Sequence, residues 1–538
     1  MRLSTATIVV CVVIFALTAA LRFLAVVSFS NDEYIGLVGA QQMLFGEWPT
    51  RDFFDPGLPM AYAASAAAQL LFGRNLFAEA VLTSTAIGLA AGLTVVTARR
   101  LSGSLAIGIL AALFEVAIFP RGYAYPAILL YAAAPLLIWW YQERPTSWVR
   151  MLALALFVQV AFLLRHDHGL FTGIVVALAA ATGSGAPTST REVGRRVASL
   201  ALLMFVAAVP YLTYVSLNGG LVRYFAQGIA FSAAEAADNH LVLPPFGQAL
   251  SLAKNCEAFL FFLFYLLPVS AALVWVTTRG RDRWTVFARI APIIVMAILV
   301  DRAFLRDELA TRLANAIVPA VLLCAWLAGE ISRAASPGRR AMLRTAALAV
   351  AIVCGVAVTT VGRTEEQFNR AGLFGGLRRM PERFAERSAE LHERFNERQM
   401  PSRLITPLIP FFEYVDRCTT TEHHLLLPGF SPEVAVYAGR PFAGGRYTML
   451  KGYVDDPDAR RQLQERVEAQ VVPFVVIEPN YKERIWSAYP ELARFIDGRF
   501  RSLVSYRSDS GNVMVEVLVN RTLTPRAQDP ATGWPCFR

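Results

Sequence analysis

Asn31-Asp32-Glu33-Tyr34, read on through Arg51-Asp52-Phe53-Phe54-Asp55-Pro56-Gly57, leaves the apolar run Ile8–Val27 with two adjacent carboxylates at its exit. Roughly 20 helical residues cross roughly 30 Å of hydrocarbon, so the run reads as a membrane span. No persuasive small-residue cleavage site follows it, and it is taken as a retained anchor. Ionisable groups at a membrane surface are costly unless they have a partner or a task. The loop 29–75 is therefore the first place to look for chemistry.

The rest of the chain fits that start. Of 538 residues, 55% are hydrophobic and only 17% are charged, a balance too apolar for a soluble globular protein. Further apolar runs fall at Leu76–Thr97, Leu105–Phe119, Pro126–Tyr141, Met151–Leu164, Leu170–Ala181, Val197–Leu217, Leu252–Thr277, Val286–Val300, Leu309–Ile331 and Met342–Val361. With the first they make eleven candidate helices. Arginines gather in alternate loops: Arg99 and Arg100, then Arg144 and Arg150, then Arg191, Arg195 and Arg196, then Arg279, Arg281, Arg283 and Arg289, then Arg333, Arg339, Arg340 and Arg344. Because Lys and Arg accumulate in short cytoplasmic loops, this puts the N-terminus inside and everything after Val361 outside. The net charge of +10 is then mostly topological, and no nucleic-acid partner is read from it.

The tail has its own organisation. Pro381–Met400 carries Phe384, Leu391 and Phe395 at helical spacing among Glu and Arg, as a solvated connecting helix does. Beyond it His424–Leu427, Val471–Ile477, Ser502–Tyr506 and Val513–Val519 read as strands, with helices over Arg460–Gln470 and Tyr481–Ile496. Residues 1–361 are thus expected to form the membrane domain, 362–400 a charged connecting helix and 401–538 a soluble α/β domain. Cys418 and Cys536 are the only cysteines of that last domain; in an oxidising compartment they are expected to form a disulfide. No zinc-knuckle spacing, glycine-rich phosphate loop or GxSxG elbow occurs.

The first loop has a distinctive order. The acidic pair leads into a helical stretch ending Leu44-Phe45-Gly46-Glu47-Trp48-Pro49; the aromatic-acidic turn Asp52-Phe53-Phe54-Asp55 and the step Pro56-Gly57 lead to Tyr62 and a closing Phe72-Gly73. This resembles the first external loop of the GT-C glycosyltransferases, most closely the branch of protein O-mannosyltransferases, lipid A aminoarabinose transferases and rhizobial lipopolysaccharide sugar transferases. The resemblance is specific over Asn31–Arg100 and topological beyond. It implies an α-helical polytopic fold and transfer of a sugar, with inversion, from a polyprenyl-phosphate carrier to a lipid, glycan or protein acceptor on the outer face of a bacterial inner membrane. Such transfer needs a general base for the acceptor proton, and the matching positions are Asp32, the first choice, and Glu33. The alternative, which weighs more for Glu33 than for Asp32, is that the pair marks the membrane interface or caps the next helix, where carboxylates suit the N-terminal dipole. Asp52 and Asp55 are candidates to orient the acceptor or to help hold a divalent cation, as in some relatives; turn formation by an Asp before Pro accounts for Asp55 as well.

A lipid-phosphate leaving group calls for cations at the same height. Three clusters qualify. Arg121 and Tyr123 lie in the turn Phe119–Pro126; Arg165-His166-Asp167-His168-Gly169 interrupts two spans; Arg302, Arg306 and Arg312 lie between the ninth and tenth. The resemblance carries Arg165 and Asp167 over as donor-site residues. His166, Asp167 and His168 also admit a metal triad, but i, i+2 spacing suits a turn better than a helix face. The third cluster has a plain alternative as a salt-bridge network, because Glu308 and Arg312 are four apart. The loop 218–248, with Arg223, Tyr224, Gln227, Glu235, Asp238 and His240, is a candidate lid. Two rival readings remain open: a transporter or lipid flippase, against which the polar groups gather at one face and not at the midplane, and a non-catalytic assembly partner. Sugar identity, acceptor identity and metal need are not legible in these residues.

Overall fold

Each of the eleven apolar runs becomes one helix. A computed structural model describes residues 4–27, 29, 31–183, 189–237, 243–245, 247, 250–277, 283–305, 308–334, 337–395, 405–450, 453–454, 456–507 and 513–538. Among them, seven helices are long and apolar enough to cross a membrane by themselves, and an eighth if Thr345–Val361 and Thr364–Arg370, bent by 57°, count as one. Leu105–Ala117, with 13 residues, rises only about 20 Å; Trp148–Leu164 and His166–Thr182 have 17 residues each. The chain is an integral membrane protein with a predominantly helical fold and a small sheet near its C-terminus.

Two compact units share the chain. The first comprises residues 1–26, 81–212 and 239–384 and holds most of the apolar helices. Its helix starts are set locally: Ser4 and Ser104 cap Thr5–Ala25 and Leu105–Ala117 by accepting from the amides of Thr7 and Ile107. Prolines sit inside several of its helices, among them Pro135, Pro268, Pro292 and Pro319, as neighbouring helices in a membrane bundle permit.

The second unit comprises residues 27–80, 213–238 and 385–538, so the first loop folds in one body with the C-terminal sheet. Strands β1 (His423–Leu426), β2 (Val471–Ile477), β3 (Phe500–Arg507) and β4 (Val513–Asn520) form a sheet of order β1-β2-β4-β3, with β1 parallel to β2 and the other pairs antiparallel. A parallel pair needs a crossover, and it is made through the helices Pro432–Ala438 and Pro457–Ala469. The single helix expected over Tyr481–Ile496 is two, Pro479–Ala488 and Pro490–Arg499. Pro490 lacks an amide hydrogen and drives Tyr489 out of the helical region, which a reading of apolar periodicity passed over. Cys418 is bonded to Cys536, and the amides of Phe537 and Arg538 both donate to the Cys418 carbonyl.

Gln42 and His424 tie the first loop to this sheet. The Gln42 amide exchanges hydrogen bonds with the backbone of Phe442, 3.2 Å and 3.4 Å long, and His424 Nε2 lies 2.6 Å from Glu47 Oε1. Phe53 is buried against Phe442 and Tyr62, with ring centroids 5.7 and 5.8 Å away.

Candidate functional site

Within the second unit, the helix Asn31–Leu44 opens with Asp32 and Glu33 in its first turn, both half-buried. Tyr34 is fully buried, and its hydroxyl lies 2.7 Å from that of Tyr437. That contact fixes the rotation of the helix, and because successive residues turn by about 100°, Asp32 lies on the side away from Tyr437. Glu33 is close enough to Glu79 for their charges to interact, while Glu79 Oε2 accepts from the Ser65 hydroxyl at 2.6 Å. Glu79 was passed over in the sequence because it sits inside an apolar run.

Asp52 and Asp55 are both spent on turns. Asp52 Oδ2 accepts from the Trp48 amide and Arg51 Nε, each at 2.7 Å. Asp55, 2% exposed, accepts from the amides of Gly57 (2.9 Å) and Leu58 (2.7 Å) on Oδ1 and from the Tyr224 hydroxyl (3.0 Å) on Oδ2. Among the described residues no three His, Cys, Asp or Glu side chains converge as a metal site.

Beside Asp55 lies a cavity of about 280 Å³, walled by Phe53 and Phe54 of the first loop, the turn Asn218–Gly220, the segment Gly444–Arg446 and the helix Pro457–Ala469. Arg223, Arg446 and Arg466 line it. The Gly444-Gly445 turn brings these segments together: both glycines have positive φ, and a Cβ on Gly445 would stand 2.4 Å from the Asp52 carbonyl oxygen. Arg466 donates to the carbonyls of Arg51 (2.6 Å) and Asp52. The Arg446 guanidinium lies over the Phe54 ring at 4.0 Å and, among the described residues, has no hydrogen-bond or ion-pair partner. Burial first, and then the neighbouring charges of Arg466 and Arg223, pull its pKa down to about 10. Sequence reading had set Arg223 in a candidate lid and had missed Arg446 and Arg466, since four segments far apart in the chain build this wall. The only local signal was two glycines before an arginine.

In the first unit the polar tip expected at 165–169 is a helix start. Arg165 precedes His166–Thr182 in extended conformation, and its guanidinium binds Asp167 at 2.9 Å. A Cβ at Gly169 would stand 2.3 Å from the Phe162 backbone, so only glycine allows the two helices to meet there. His166 stacks on Phe162 at 4.1 Å, whereas buried His168 reaches the Tyr131 hydroxyl through Nδ1 at 2.9 Å. The two imidazoles therefore serve different neighbours and do not form a triad. Arg312, on the helix Leu309–Ala334, acts electrostatically on His168, so two of the three cationic clusters meet. Arg302 is exposed in the short turn Arg302–Leu305; Arg121 is exposed and Tyr123 half-buried; Arg306 lies outside the described residues.

No known family model matches the chain, and no curated protein matches it in sequence. Solved structures similar to it include ArnT from Cupriavidus metallidurans bound to undecaprenyl phosphate, with TM-score 0.48 and 14% identity over 97% of this chain and 100% of that one. The same protein in the apo state gives TM-score 0.47 and 16% identity over 96% and 98%. The Archaeoglobus fulgidus oligosaccharyltransferase, in complex with zinc and sulfate, gives 0.47 and 12% over 95% and 73%. All three scores fall below 0.5, so the functional reading has to stand on the residues of this chain.

Proposed function

We propose that the chain is a GT-C-type glycosyltransferase that moves a sugar from a polyprenyl-phosphate carrier to a lipid, glycan or protein acceptor at the outer face of a bacterial inner membrane. The observation that carries this reading is the acidic pair Asp32-Glu33, half-exposed in the first turn of a helix that follows the apolar helix Thr5–Ala25 and belongs to the same unit as the C-terminal sheet. In this reading Asp32 takes the acceptor proton as the acceptor oxygen bonds to the anomeric carbon, and the bond from that carbon to the carrier phosphate breaks with inversion. Arg165 and Arg312, with Arg302 and Arg306, neutralise the departing lipid phosphate. Asp167 holds the Arg165 guanidinium in place.

Asp32→Asn keeps the size and polarity but cannot accept the proton. It is expected to lower transfer of labelled sugar, from a polyprenyl-phosphate-linked pool in membranes, by about 10²–10⁴-fold without loss of the folded protein. Retained activity in Asp32→Asn together with loss in Glu33→Gln moves the base to Glu33. Full activity in both removes the glycosyltransferase reading.

A further inference from the structure

Of the three guanidiniums around one small cavity, Arg466 serves the carbonyls of Arg51 and Asp52, but Arg446 and Arg223 are hard to explain by folding alone. Arg446 is only 8% exposed, and a buried charge is normally paired or bound; here its guanidinium lies over the face of Phe54 and, among the described residues, has no hydrogen-bond or ion-pair partner. Arg223 stands 3.7 Å from Asp456 Oδ2, beyond hydrogen-bond length, and its Nη2 is buried without a hydrogen bond. Asp456 is itself occupied, accepting from the amides of Asp458 and Ala459 as the cap of Pro457–Ala469. Among the described residues the one carboxylate on the wall is Asp55, whose two oxygens are engaged by Gly57, Leu58 and Tyr224. Among the described residues, the cavity wall therefore carries three guanidiniums against one carboxylate.

We propose that this cavity is an oxyanion site that takes a phosphate group of a reactant, held by Arg223, Arg446 and Arg466. A phosphate brings a charge near −2 and three acceptor oxygens, which three guanidinium forks from three segments can share; a carboxylate would leave part of the charge unmatched. The volume, about 280 Å³, is near the lower end of the usual range for small-molecule sites, roughly 300–1,000 Å³. It suits a headgroup or a phosphorylated sugar and not an extended peptide. The site rests on the glycosyltransferase reading only in calling the ligand a reactant.

The test is calorimetry on the full-length protein in detergent, with inorganic phosphate and with dodecyl phosphate in mixed micelles as probes. At least one is expected to bind with a submillimolar Kd that weakens as salt screens the charges. Arg446→Gln and the half-exposed Arg223→Gln should each weaken binding about tenfold or more, and Arg446→Lys should restore part of it. Arg461→Gln, which removes an exposed arginine paired with Asp458 on the same helix as Arg466, should leave it unchanged. Preference for dodecyl phosphate assigns a lipid-borne phosphate, and equal or better binding of inorganic phosphate assigns a water-soluble one. Absence of binding by both probes, or wild-type affinity in both Arg446→Gln and Arg223→Gln, overturns the site. Binding that survives when the Asp32 test fails leaves the site standing without its enzyme.

Discussion

Arg440 and Arg446 lie six residues apart and are equally buried, each 8% exposed, yet their surroundings are opposite. Arg440 donates to the Thr419 hydroxyl at 2.8 Å and to the carbonyls of Gly439, Val415 and Thr419 at 2.9–3.2 Å, with Asp416 Oδ1 3.5 Å away. Arg446 has an aromatic face and two other arginines. Burial of a guanidinium is tolerable in the first case because every direction meets an acceptor. In the second the missing acceptors mark the place of a ligand. The contrast separates an arginine that holds the fold from one that the fold holds ready.

The strongest way to strain the Arg440 corner is to cut its covalent anchor. Val415 and Thr419, which supply its acceptors, flank Cys418 at the end of the helix Ile409–Cys418, and the disulfide to Cys536 closes a loop with sequence separation 118. By chain entropy a loop of that size contributes about 4–5 kcal/mol. The double variant Cys418→Ser/Cys536→Ser should therefore melt well below the wild type, and the amides of Phe537 and Arg538 should exchange faster. Phosphate binding in the cavity should persist at low temperature. Equal loss of both would mean that the two corners are one cooperative structure.

A direct comparison comes next in size. Arg440→Met takes a donor from three carbonyls and a hydroxyl, of which the Val415 carbonyl keeps the amide and hydroxyl of Thr419, and should cost about 3–4 kcal/mol. Arg446→Met removes a desolvated cation repelled by its neighbours, keeps an apolar stem over Phe54, and should change stability by less than about 1 kcal/mol or raise it. Thermal melts of the two variants beside the wild type decide the matter. A similar loss in both would make Arg446 structural.

This pair also marks how far the sequence could be read. Eleven apolar runs and the four strands of the sheet follow from local pattern, and the pairing of Cys418 with Cys536 was expected because they are the only two cysteines of the tail. Periodicity failed at Tyr489-Pro490, where a single residue without an amide hydrogen outweighed the apolar spacing on both sides. In the site, Asp32-Glu33 and Arg165–His168 stood out because charge is rare beside apolar runs. Arg446 and Arg466 did not: in a polar domain a lone arginine is ordinary, and only the fold shows that one has acceptors and the other none. Asp52 and Asp55 were visible as acids in a turn, and turn formation was already an alternative for Asp55; which amides they hold, those of Trp48, Gly57 and Leu58, only the fold shows.

Glu433 gives the comparison its acidic counterpart and its smallest expected effect. On the helix Pro432–Ala438 it is 2% exposed, and its Oε2 has no hydrogen-bond partner. Burial raises its pKa from 4.5 to about 7, with the charge of Glu478 pushing the same way and its own backbone amide pulling back. The folded chain thus keeps this proton at pH values where the unfolded chain has lost it, so the stabilisation is complete below about pH 4.5 and is lost as pH rises through about 7. The loss amounts to about 3 kcal/mol at most, at about 1.4 kcal/mol per unit. Glu433→Gln cannot ionise, and its melting temperature should change less than that of the wild type between pH 5 and pH 8, with the variant the more stable of the two at pH 8. Glu478, whose pKa burial also raises, titrates in both proteins, so the difference between the two curves isolates Glu433. Parallel curves would mean that Glu433 meets a compensating donor, and the buried acid would then resemble Arg440 more than Arg446.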